Sequence, residues 1–111
     1  SYNNLGMVYK DQGQYSAALI MCEKSLTIYR SVYGDNHPDV AGSYNNLGGV
    51  YNAQGQYSQA LIMFEKSLEI RLPLLGPNHP YVQGVYKWLV GLHEKLGNKA
   101  EADKYRVCIK K

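Results

Sequence analysis

Two histidines are the first side chains in this 111-residue chain that invite a chemical reading. His37 and His79 each stand in an Asn-His-Pro triplet, and imidazole is the commonest metal ligand. A metal site needs further donors at ligand spacing, and neither triplet supplies them. A histidine or asparagine just ahead of a proline is instead well placed to cap a helix, since proline fits the first helical turn. His93-Glu94 opens like a zinc-protease helix, but the position that should hold the second histidine is Gly97. Cys22 stands where Phe64 stands 42 residues further on, an aromatic core position in which a thiol is a packing group, not a nucleophile. The glycines form no phosphate-binding loop, and no carboxylates pair at active-site spacing. The chain therefore reads as a non-enzyme with no cofactor and no metal.

Composition narrows the partners. A net charge of +3, with lysines and arginines scattered except at Lys110 and Lys111, lacks the clustered basic stripe of a nucleic-acid surface. No apolar run approaches the ~20 residues that span a bilayer, and no signal-peptide pattern opens the chain. A cytoplasmic protein with Cys22 and Cys108 reduced on separate helices is expected. Most of the tyrosines recur at matching positions, which marks them as packing residues.

What positions these residues is a repeat. Residues 1–42 and 43–84 align without a gap and are identical at 28 of 42 positions, and 85–111 keep the register more weakly. A fixed period of this length marks a solenoid, in which each unit buries its apolar face only against its neighbours. Gly13 and Gly55 fall in Gln-Gly-Gln-Tyr turns. Gly34 and Gly76 stand where a second helix should end in the left-handed conformation. The spacing predicts a first helix from Pro38 to Gln54, with Val40, Tyr44, Leu47, Val50 and Tyr51 on one stripe. It predicts a second from Ser58 to Leu75, with Ala60, Leu61, Phe64, Leu68 and Ile70 inward, and with the small Gly48, Ala60 and Ser67 allowing close approach. Pro73 removes one helical bond to Glu69, so a bend or early end is expected there, unlike at Ser31 in the first unit.

The third unit changes character. Val90 and His93 replace Gly48 and Tyr51, while Leu61, Ile62, Phe64 and Leu68 become Asp103, Lys104, Arg106 and Lys110. Ala102, Tyr105 and Ile109 keep one apolar face, which is the pattern of a terminal cap. The expected fold is all-α: antiparallel helix hairpins in a single array over 1–111, with units 1–42, 43–84 and a shorter capping unit 85–111. Ser1 matches Ser43, five residues past Pro38, so the natural chain is expected to continue upstream or to have been cut there. Apolar surface on that first helix invites a homo-oligomer through the amino-terminal end.

Tyr2, Leu5, Gly6, Tyr9, Ala18 and Cys22, matched by Tyr44, Leu47, Gly48, Tyr51, Ala60 and Phe64, resemble the tetratricopeptide repeat signature. Tyrosine stands for the usual tryptophan, and Cys22 for a second-helix aromatic. The interval from Phe64 to Pro80 is about eight residues longer than in the common repeat of roughly 34, lengthening the second helix by about two turns. This variety is most similar to the repeats of kinesin light chains and nephrocystin-like proteins.

The resemblance implies a concave groove lined by the first helices. It places Asn3, Asn4, Met7 and Lys10 there from the first unit, with Asp11 beside them. From the second come Asn45, Asn46, Gly49 and Asn52, beside Ala53, and from the third Lys87, Gly91 and Glu94, beside Trp88 and Lys95. Asn4 and Asn46 match an asparagine position that contacts ligand in many family members. An asparagine amide both donates and accepts, so it can pair with the main chain of an extended peptide. Gly49 and Gly91 leave room on the floor. Kinesin light chains hold acidic, tryptophan-bearing peptides against basic groove residues. Here Lys10, Lys87 and Lys95 are interleaved with Asp11 and Glu94, and no strong acidic preference is expected.

The function this implies is a protein-protein interaction module that binds a short peptide of a partner protein in the groove. The competing reading is a structural spacer or self-associating fragment of a longer solenoid, natural or engineered, which the identity of the first two units fits as well. Binding of RNA through the exposed helices is disfavoured by the mild charge.

Overall fold

The computed structural model describes residues 2–110. Six helices follow in order: α1 (Tyr2–Asp11), α2 (Tyr15–Tyr33), α3 (Pro38–Ala53), α4 (Tyr57–Leu75), α5 (Pro80–Lys95) and α6 (Lys99–Arg106), with no strand among the described residues. Each helix packs against the next, and α1 also touches α3, so three hairpins stack into one body of 35 × 29 × 19 Å.

The punctuation works as the residue chemistry requires. His37 Nδ1 accepts from the Asp39 amide and His79 Nδ1 from the Tyr81 amide, each at 3.1 Å, with proline at the first helical turn. The histidine, and not the asparagine before it, is the cap. Gly34 and Gly76 do have positive φ, 83° and 85°, but their ψ values of 179° and 161° lie outside the left-handed helical well. The chain leaves each long helix through an extended conformation open essentially to glycine alone.

The early end expected at Pro73 is absent. Helix α4 runs through Pro73 to Leu75 and matches the 19 residues of α2. Pro73 sits in the last turn, so it removes a single bond, and the closing one from the Gly76 amide to the Leu72 carbonyl is kept at 2.9 Å.

Close helix approach is set by glycine against a second-helix side chain. A Cβ on Gly48 would lie 2.7 Å from the Phe64 ring, and one on Gly6 the same distance from Cys22 Sγ. Phe64 is stacked on its other side by Trp88, at 4.8 Å between centroids, so α4 is clamped between α3 and α5. Around it Ala60, Leu61, Val85, Leu89 and Leu92 form one buried cluster, and Ala18, Cys22, Leu47 and Val50 form the preceding one.

In the third unit Arg106 takes the place of Phe64. It pairs with Glu94 at 3.1 Å and with Asp103, so an ion-paired surface stands where the second unit has its buried ring. Helix α6 is shorter than expected and ends at Arg106, leaving Cys108 and Ile109 beyond it. Gln83 fastens this tail: its Nε2 donates to the Cys108 carbonyl at 3.0 Å, and its Oε1 accepts from the Lys110 amide at 2.7 Å. Both Cys22 and Cys108 are free thiols.

Candidate functional site: the face of the first helices

Residues three and four apart on a helix share a face, and on α3 the series Gly42, Asn45, Asn46, Gly49 and Asn52 does so. Its equivalent on α5 is Gly84, Lys87, Trp88 and Gly91, with Lys95 one turn on. Two cavities open along these stripes.

The first, of about 370 Å³, is lined by Asn52 of α3 and by Gly84, Lys87, Trp88, Gly91, Leu92 and Lys95 of α5. Trp88 and Leu92 give it apolar walls, while Gly84 and Gly91 have no atom within 4 Å of where a Cβ would stand. The volume is therefore made by missing side chains on α5. Lys95 is held with its Nζ 4.7 Å from the Tyr57 ring centroid. The side-chain oxygen of Asn52 is buried and has no hydrogen-bond partner. Such a group is costly unless something donates to it.

The second cavity, of about 280 Å³, lies where α3 and α5 begin and α4 ends. Asn3, Tyr29, Asp39, Asn45, Asn46, Arg71 and Tyr81 are among its lining residues. Asn45 likewise has a buried side-chain oxygen without a partner. Burial pushes the Arg71 guanidinium below its ordinary range, and Tyr81 acts in the opposite direction.

The residues expected in the groove are thus divided. Asn52, Lys87 and Gly91 meet at the first cavity, and Asn3, Asn45 and Asn46 at the second. Gly49 lies between them on α3 and is open above its backbone. Asn3 also has a scaffold role, since its Nδ2 donates to Ser43 Oγ at 3.3 Å and ties α1 to α3. Asn4 is exposed and lines neither cavity. Lys10 is half-buried and lines neither, and Met7 packs on the core cluster that contains Cys22. Glu94 faces the cap: with Gly97, Lys99 and Arg106 it lines a separate cavity and is paired to Arg106. Arg71, Tyr81 and Gly84 were not expected. Arg71 lies on a second helix, outside the first-helix pattern, and its one sequence signal is that it breaks the repeat where the first unit has Tyr29.

Stacked hairpins of a 42-residue period, each unit packed on the next, define a helical repeat solenoid. A family model for the tetratricopeptide repeat matches residues 1–72 and again 39–105, and the chain belongs to that family. Tetratricopeptide repeats are in general non-catalytic scaffolds for protein interactions. Among solved structures the chain is similar to BtubC (BKLC) from P. vanneervenii, at 24% identity and TM-score 0.87 over 96% of this chain and 44% of that one. It is also similar to a Podosopora anserina kinesin light chain protein with nearly identical repeats, at 23% identity and TM-score 0.84 over 96% and 51%. The tetratricopeptide domain of Arabidopsis FLU matches at 16% identity and TM-score 0.82, over 95% of this chain and 85% of that domain. The chain spans about half the length of the first two, and at these identities the likeness is one of fold. No curated protein sequence matches the chain. Among the described residues no helix is long and apolar enough to cross a membrane.

Proposed function

We propose that the chain binds a short, extended peptide segment of a partner protein along the concave face made by α1, α3 and α5. The observation that carries this is the α5 cavity: apolar walls of Trp88 and Leu92, a floor of glycine and a rim of Lys87 and Lys95, with Asn52 of α3 completing the lining. Such a site suits one apolar side chain of an extended ligand.

The test begins with a peptide-library screen and continues by calorimetry on any peptide recovered. Gly91→Leu fills the cavity from a helical position that has open space, so binding should be lost while stability is kept or raised. Asn46→Ala and Asn45→Ala, at two residues that line the second cavity, should each weaken binding by ~1 kcal/mol, and Asn4→Ala, outside both cavities, by less. Lys104→Ala, on the charged cap, should change nothing. A Gly91→Leu variant that binds as the parent does would remove this reading.

The spacer or self-association reading has its own support in the exposed Tyr2, Leu5, Val8, Ile20 and Ile28 of α1 and α2. Sedimentation across a wide concentration range separates the two. A monomer at all concentrations favours the peptide module, and a saturable dimer abolished by Val8→Glu favours self-association.

A further inference from the structure

The edge of the stack formed by α1 and α2 exposes apolar side chains that the second unit buries at the same places. Leu5, Val8 and Ile28 are open to solvent, whereas Leu47, Val50 and Ile70, 42 residues on, are buried. For Ile28 and Ile70 the exposures are 45% and 7%. Two grooves of about 400 and 170 Å³ share Tyr2 and Ile28 as walls. Lys24 Nζ lies 5.8 Å from the Tyr2 ring centroid, and Lys66 Nζ 5.7 Å from that of Tyr44. The two units therefore dress this tyrosine alike, and what differs is the neighbour.

The neighbour that covers the second unit is α2 of the same chain. Ala18 and Cys22 share a buried cluster with Leu47 and Val50, and Leu19 and Leu26 pack against it. Leu26 and Tyr29 pack against the cluster of Val40, Ala41 and Ile70, as Tyr44 does. The occupant of such a surface is thus a helix with a small residue at i, apolar residues at i+4 and i+8 and an aromatic at i+11, all on one stripe. A folded second copy has no such helix to spare. Its α2 packs on both α1 and α3 and its α4 on both α3 and α5. Its α6 ends at Arg106, a charge at the i+4 place after Ala102.

We propose that the α1–α2 edge docks one amphipathic helix of a partner protein, seated as α2 is seated on α3 and α4. The residues at i+8 and i+11 enter the grooves beside Tyr2 and Ile28, and the small residue at i lets the helix approach Leu5 and Val8 closely. Tyr2, Leu5, Val8 and Ile28 line neither cavity of the first-helix face, so this site is independent of the peptide-groove reading.

The probe is a synthetic helix with the sequence of residues 14–34, carrying Cys22→Ala to prevent disulfide exchange. A staple joins positions 23 and 27, which are exposed on α2. Fluorescence anisotropy of the labelled probe reads affinity, and amide shifts of the ¹⁵N-labelled chain locate the site. Binding should be saturable, with shifts centred on Tyr2, Leu5, Val8 and Ile28 and none at the Trp88 indole. Val8→Glu and Ile28→Glu should each weaken it at least about tenfold, because an unpaired carboxylate would be buried. Both side chains are half in solvent, so these variants should keep the parental Tm. A probe with Leu26→Lys and Tyr29→Lys should not bind, a comparison that leaves the chain itself unaltered. Absence of saturable binding overturns the proposal, as does equal affinity for the lysine probe or undiminished binding in both glutamate variants. Sedimentation of the chain alone should show a monomer. A saturable dimer that Val8→Glu abolishes would assign the edge to a second copy and overturn the proposal too.

Discussion

At Gly48 there is no room for a methyl group, whereas at Gly91, which matches the neighbouring Gly49 one unit on, there is nothing but room. The same substitution should therefore have opposite signs at the two. Gly48→Ala forces the Phe64 ring off its stack with Trp88 and should cost ~1–3 kcal/mol, while Gly91→Ala gains helix propensity and should stabilise by up to ~1 kcal/mol. Urea unfolding of the pair checks this, and equal shifts would contradict it. Cys22 is fully buried, and burial pushes its thiol from 9.0 up to about 11, with Glu23 adding to the rise and Lys10 opposing it. The native thiol keeps its proton where the unfolded one loses it. Its contribution is thus complete below pH 9 and is lost as pH rises towards 11, on the order of 1–2 kcal/mol. The raised Tyr51, Tyr86 and Tyr105 phenols act with the same sign. Urea midpoints between pH 8 and about pH 10.5 should fall more steeply for the parent than for Cys22→Ala, and a thiol reagent should label the exposed Cys108 long before Cys22. Both residues could be read from the sequence, because the repeat sets Gly6 against Cys22 and Gly48 against Phe64 at one spacing. Arg71 could not. Its half-burial without a counter-ion depends on Gly42 and Tyr81, which belong to other helices.

Helix boundaries were legible because turn chemistry is local. Asn-His-Pro fixes where α3 and α5 begin, through bonds that span two residues. His79→Ala should accordingly cost ~1 kcal/mol, within the range for a lost N-cap, and His79→Asp should recover most of it. Thermal unfolding of the two variants reads the difference, and an unaltered midpoint in His79→Ala would show the cap to be idle. Where a boundary depended on tertiary packing, local reasoning overshot. Pro73 weakens α4 locally, yet Ile70 on the same turn is buried with Val40 and Ala41, and the helix continues to Leu75. Glu94 shows the same limit from the site's side. Its place in the repeat matches Asn52, but Arg106 has replaced Phe64 beside it, so the carboxylate pairs with Arg106 and lines a separate cavity with Gly97 and Lys99. Repeat alignment carries a residue's place on its own helix; it does not carry the identity of what packs opposite.

Identical segments are buried differently along the stack, and this bears on how the molecule unfolds. Ser-Tyr-Asn-Asn-Leu-Gly begins both 1–6 and 43–48, yet Leu5 is 40% exposed against 2% for Leu47, and Val8 49% against none for Val50. Local propensity is nearly the same in the two segments, so the difference comes from neighbours: α3 is covered by both α2 and α4, and α1 is not. In a linear array, stability is close to a sum of each unit's own stability and its interfaces, so a helix with one neighbouring layer opens before a helix with two. The other end has a related weakness. Helix α6 has eight residues, with Ala102 alone fully buried, and it is held through the Arg106 ion pairs and the Gln83 bonds to the tail. Exposed ion pairs of this kind contribute only ~0–1 kcal/mol each. Native-state hydrogen exchange should therefore show a gradient, with amides of α3, α4 and α5 protected to nearly the global unfolding free energy and those of α1 and α6 exchanging through smaller openings. Val8 and Val50 give the sharpest comparison, since they occupy one repeat position at different depths in the stack. Gln83→Ala should lower protection in α6 and leave that of α1 unchanged, because Gln83 holds the tail beyond α6 and α1 packs instead on α2 and α3. Uniform protection across all six helices would mean that the array unfolds as one cooperative block, and that the central interfaces are too strong for the ends to open alone.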